Sequence, residues 1–63
     1  MKLKDFLFAS LSKCLIGVEE GFHTKEEFSS ENAAKVKEYA DYIVNAFWCL
    51  ADDLMAVVIQ KGE

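Results

Sequence analysis

Sixty-three residues with a formal net charge of −4 make one small acidic domain at most. The carboxylate excess disfavours phosphate-backbone binding and anionic membrane surfaces as a main activity, and 52% hydrophobic beside 29% charged residues excludes a disordered chain. Two cysteines, Cys14 and Cys49, are too few for a disulfide framework; both lie in apolar stretches and are expected as buried free thiols, with a single bridge between them as the alternative.

Residues 2–17 read as helix 1. Leu3, Leu7, Leu11, Cys14 and Val18 fall in one row at helical spacing, widened by Phe8 and Leu15. The opening lysines and the run of Phe6, Leu7, Phe8 and Ala9 resemble a signal peptide, but Asp5, Ser10, Ser12 and Lys13 interrupt it and no small-residue cleavage site follows. Gly17 suits the left-handed residue that ends a helix. Residues 18–29 are then a connection. Within it Thr24 and Glu27 match a capping box with His23 and Phe28 at the staple positions, so residues 25–29 are expected as a short helical turn, separate from or fused to the second helix.

Residues 30–61 read as helix 2, capped by Ser29 or Ser30 and closed by Lys61 and Gly62. Ala33, Val36, Ala40, Ile43, Phe47, Leu50, Leu54 and Val57 alternate steps of three and four, the a/d ladder of a heptad repeat. Val44, Ala51, Val58, Trp48 and Met55 make this helix apolar well beyond its seam.

The expected fold is therefore all-α: a hairpin of a short and a long helix, about 22–25 Å and 45–48 Å at the helical rise. Helix 1 covers only the first half of helix 2, and residues 50–59 are left bare. A second copy would cover them, giving a homodimeric four-helix bundle with Phe47, Leu50, Leu54, Met55, Val57 and Val58 in the interface.

The residues of catalytic type are sparse. Glu20 and His23 have the Glu-x-x-His spacing of carboxylate metal sites, but Gly21 interrupts them; they are weak metal candidates, completed only by carboxylates across a dimer. No activated nucleophile, phosphate-binding glycine loop or zinc pattern occurs, so neither catalytic activity nor a cofactor is expected. The longest uninterrupted apolar run of the long segment, 46–51, stops at Asp52 and Asp53, which lipid would disfavour; a cytoplasmic location is expected.

The reading that remains is a small acidic protein–protein interaction module that regulates or inhibits a larger protein with a basic surface. Trp48, Glu38, Asp41, Asp52 and Asp53 are its candidate partner-binding residues. Such economy of length fits a phage or mobile-element product. The alternatives are a purely structural self-assembling subunit and the dimer-spanning Glu20 and His23 metal site.

Overall fold

The computed structural model describes residues 1–62, and its framework is a sheet. A short helix α1 (Leu3–Ala9) leads into strands β1 (Lys13–Glu20) and β2 (His23–Ser29); a second short helix α2 (Ala33–Glu38) leads into β3 (Ile43–Ala51) and β4 (Leu54–Gln60). The chain is thus helix–hairpin followed by helix–hairpin. The four strands form one mixed sheet in the order β2-β1-β4-β3. Both hairpins are antiparallel, and they are joined at the centre by the parallel pair β1–β4, from Lys13 beside Leu54 to Glu19 beside Gln60.

Strand alternation sorts the side chains onto two faces. Cys14, Ile16 and Val18 stand level with Met55, Val57 and Ile59 on the face that carries the helices. Leu3 of α1, Tyr39 at the end of α2 and Phe28 of β2 close over them, and these buried residues form the core. Phe28 stacks on Tyr39 with centroids 5.5 Å apart, Tyr42 meets Tyr39 edge-on at 4.7 Å, and Phe6 lies 5.1 Å from Phe47. Each fully buried aliphatic contributes about 1.5–3 kcal/mol. Asn32 caps α2 by accepting from the Lys35 amide at 3.2 Å.

This architecture corrects the all-α hairpin and its four-helix bundle. Helix 1 shrinks from 2–17 to Leu3–Ala9, and residues 13–17 belong to β1. The connection 18–29 is the rest of β1, a turn and β2, with 25–29 extended rather than helical. Helix 2, expected over 30–61, is helical only over Ala33–Glu38. The physical reasons lie in the residues. In a segment as apolar as 43–59, a three-four ladder and a two-residue alternation both find partners, so spacing alone does not choose between helix and strand. Ile43, Val44, Val57, Val58 and Ile59 are β-branched and Phe47 and Trp48 aromatic, types that pack well on a pleated surface. Asp52 and Asp53, expected within helix 2, are the turn between Ala51 and Leu54. Gly21, with φ +66°, opens the turn between Glu20 and His23, where the left-handed region is needed at the first loop position of a tight hairpin. Thr24 and Glu27 are accordingly cross-strand neighbours of Glu19 and Gly17 instead of a capping box.

Candidate interaction surface

Both helices pack on one face, and among the described residues no element covers the other, bare face of the sheet. There Leu15, Gly17 and Glu19 of β1 stand level with Ala56, Val58 and Gln60 of β4, and Ala46 and Trp48 of β3 stand level with Val58 and Ala56. Leu15 is 45% exposed, Trp48 49% and Leu50 50%. Together with Ala56 and Val58 these side chains line a shallow concavity of about 290 Å³ whose polar rim is Glu19, Thr24 and Glu27. Gly17 makes its floor. A methyl added there would meet only Thr24 Cγ2, at 3.9 Å, so the hollow exists because this strand residue has no side chain. An apolar floor with a carboxylate rim can bury an aliphatic or aromatic side chain while attracting neighbouring ammonium or guanidinium groups.

The sheet also has two unlike edges. β2 presents exposed His23, Thr24, Lys25 and Glu27, and the Lys25 ammonium lies 3.8 Å from the Glu20 carboxylate. β3 has no charged residue over its nine positions. Its first two residues are covered: the Val44 amide donates to the Met1 carbonyl at 2.8 Å, and Lys2 forms a bridge with Ile43. Residues 45–51 are exposed throughout. Bulges at Asn45 and Leu50 interrupt the pairing of β3 with β4, adding local twist at the two ends of the 46–49 ladder.

The helix-bearing face holds a polar cluster and an apolar groove. The Tyr39 hydroxyl donates to Glu26 Oε2, and Lys35 Nζ lies 2.8 Å from Glu26 Oε1, tying α2 to β2. The hydrogen bond from Lys35, then that from Tyr39, holds the Glu26 carboxyl below its ordinary range. The bond to Glu26 raises the Tyr39 phenol and the Lys35 ammonium in turn. All these groups are accounted for by one another, as in a structural clasp. The groove, about 480 Å³, runs between α1 and β3 and is lined by Met1, Phe6, Ala9, Leu11, Phe47 and Met55.

The residues expected in a dimer interface are divided among these regions. Leu50 and Val58 line the bare-face concavity, Phe47 and Met55 the groove, Val57 is buried in the core at 1% exposure, and Leu54 is half-buried beside the β3–β4 turn. Of the candidate partner-binding residues only Trp48 reaches the bare face. Glu38 ends α2 and lies 3.8 Å from Lys35. Asp41 is held by Lys4 at 3.3 Å and Lys2 at 3.6 Å, and the Lys4 hydrogen bond, foremost, lowers its pKa. Asp52 and Asp53 form the turn at the end of the sheet. Glu20 and His23 face each other across the β1–β2 turn. Among the described residues no three His, Cys, Asp or Glu side chains are grouped to hold a metal ion. Cys14 is buried and Cys49 exposed, and both are free. Ser10 Oγ lies 3.9 Å from Cys14 Sγ, and among the described residues no basic side chain is hydrogen-bonded to the pair. Among the described residues no helix is long and apolar enough to cross a membrane.

Sequence reasoning missed Leu15, Gly17, Glu19 and Ala56 as members of the surface. The signal was present: Cys14, Ile16 and Val18 alternate with Leu15, Gly17 and Glu19, the two-residue period of a strand with two distinct faces. In comparisons with protein-family models, curated proteins and solved structures, nothing matches this chain.

Proposed function

We propose that the chain is a non-catalytic protein–protein interaction module and that its working surface is the bare face of the sheet. The observation that carries this reading is the apolar concavity of Leu15, Trp48, Leu50, Ala56 and Val58 over the Gly17 floor, rimmed by Glu19 and Glu27. Exposed aromatic and aliphatic side chains gathered on one face favour a macromolecular contact, and Trp is the residue type most enriched among binding hot spots. The carboxylate rim and the net charge of −4 favour a partner that presents an apolar side chain flanked by lysine or arginine. Regulation or inhibition of a larger protein through such a basic surface is the role this chemistry serves best.

Affinity capture with the whole chain tests the reading, comparing the natural sequence with Leu15→Glu. Leu15 lies on a central strand, away from both sheet edges. One dominant, salt-sensitive partner that is lost with Leu15→Glu is the expected result. Capture that is the same for both chains, or recovery of nothing but the chain itself, overturns it.

A further inference from the structure

We infer that β3 pairs edge to edge with β3 of a second copy of this chain, antiparallel about a two-fold axis at Trp48, so that two four-stranded sheets continue as one. This goes beyond the bare-face reading, because it concerns a different surface and names its occupant.

Backbone geometry selects the strand. A sheet edge offers a row of amides and carbonyls to any chain that can lie beside it, and soluble proteins commonly blunt such edges with charge or proline. β2 is charged, whereas β3 carries neither charge nor proline. The lane beside β3 already accepts backbone, since the Val44 amide donates to Met1 and Lys2 bridges Ile43.

The same strap fixes the register. It fills the lane as far as residue 44 and leaves 45–51 open, a stretch whose midpoint is Trp48. An antiparallel two-fold at Trp48 sets Asn45 against Ala51, Ala46 against Leu50 and Phe47 against Cys49. It uses every open position and stops where the strap begins. A two-fold at Phe47 would drive Leu50 and Ala51 of the incoming strand into that strap. Centring at Trp48 also keeps side chains on matching faces. Trp48 meets its counterpart, and large Leu50 stands over small Ala46, both on the bare face.

Charge completes the fit. Beyond Ala51 the incoming strand ends in Asp52 and Asp53, which reach the strap of the first copy. There Lys2 and Lys4 share the single carboxylate of Asp41. Two ammonium groups on one carboxylate leave positive charge to receive the incoming aspartates, and the two-fold makes this contact twice. A seven-residue edge falls short of the roughly 1,600 Å² of a standard interface, so the pairing is expected to be weak and reversible.

Sedimentation velocity of the whole chain from low to high micromolar tests the pairing. A reversible monomer–dimer equilibrium is expected, and a monomer throughout overturns it. Oxidised Phe47→Cys tests the register: residues directly opposite lie within disulfide reach, so the new thiol bridges Cys49 of the other copy. A bridge between the two introduced thiols places the axis at Phe47 and overturns this register. Lys2→Glu weakens association about tenfold, and combining it with Asp53→Lys restores it. Unchanged association of Lys2→Glu overturns the placement of the axis. Leu15→Glu dimerises normally, so failure of the pairing and failure of the bare-face reading give different results.

Discussion

At one edge of the sheet β2 lines up His23, Lys25, Glu26 and Glu27 within seven residues; at the other, β3 runs from Ile43 to Ala51 with no charged side chain. Both strands are half of a hairpin, and both lie beside a central strand. Their difference shows how so short a chain can direct association. A charged edge is costly to bury against another strand, while an uncharged one offers backbone hydrogen bonds without desolvating ions. The two bulges and the strap of Met1 and Lys2 then narrow what the open edge accepts. Charge is also used differently at the two sides: Glu26 on β2 is engaged by Tyr39 and Lys35, whereas β3 has no charged side chain to engage.

The contrast between the edges can be broken most severely by removing the scaffold under both. Ile16 is 1% exposed at the middle of the central pair, and Ile16→Ala is expected to cost about 3 kcal/mol in urea denaturation, within the usual range for such a cavity. Both edge and face activities should fall with the folded fraction. The next largest effect comes from giving β3 the character of β2. Ala46→Lys with Cys49→Glu alters two exposed positions, so stability should move by less than about 0.5 kcal/mol while self-association weakens at least tenfold. Equal dimerisation by the altered chain would remove the argument from edge charge.

The pH response sharpens the contrast from the β2 side. The Glu26 carboxyl is lowered in the folded state by Lys35 first and Tyr39 second. Its contribution to stability is therefore fully present above the ordinary carboxylate pKa and lost as pH falls through the lowered folded value. The raised Lys35 contributes below the ordinary lysine pKa, and its share is lost as pH rises through the folded value. Thermal melts should show an acid limb that flattens in Glu26→Gln; an unchanged limb would deny the clasp its role. The smallest effect is expected at the floor of the bare face. Gly17 has room for a side chain, so Gly17→Val should raise stability by about 0.5 kcal/mol through better strand propensity and lower chain entropy. It should also fill the hollow and reduce partner capture. A more stable chain that binds its partner less well would separate the surface from the scaffold.

Only part of this fold is legible in the residues, and the reasons are specific. The starts of both helices are, since Leu3–Ala9 and Ala33–Glu38 lie inside the segments that read as helical. Their ends are not, because dense apolar sequence satisfies helical spacing and strand alternation together. Gly17, by sequence a plausible helix terminator, is a strand residue with ordinary φ, whereas Gly21 is the glycine that makes a turn. Trp48 and Leu50 stand out in the sequence for association and are exposed, but on the face of a sheet rather than along a helix. The companions of Trp48 on that face come from β1 and β4, and only the pairing register brings them together. Pairing between Lys13 and Leu54 depends on long-range packing that no local window contains.

That same long-range pair sets the order in which the molecule can be finished. Each hairpin is closed by contacts between near neighbours in the chain, but the sheet is joined across its centre only through β1 and β4, the first and the last of its four strands. Parallel pairing of such distant segments is the slow kind, because a large loop must close before any contact rewards it. Until β4 emerges, Cys14, Ile16 and Val18 have no Met55, Val57 and Ile59 to lie beside, and the nascent chain carries an open apolar strand. A ribosome-bound chain halted before residue 54 should accordingly be digested readily by protease, and one released after residue 60 should resist. Pairing of the seven-residue β4 with β1 is thus the step that converts two local hairpins into one continuous sheet.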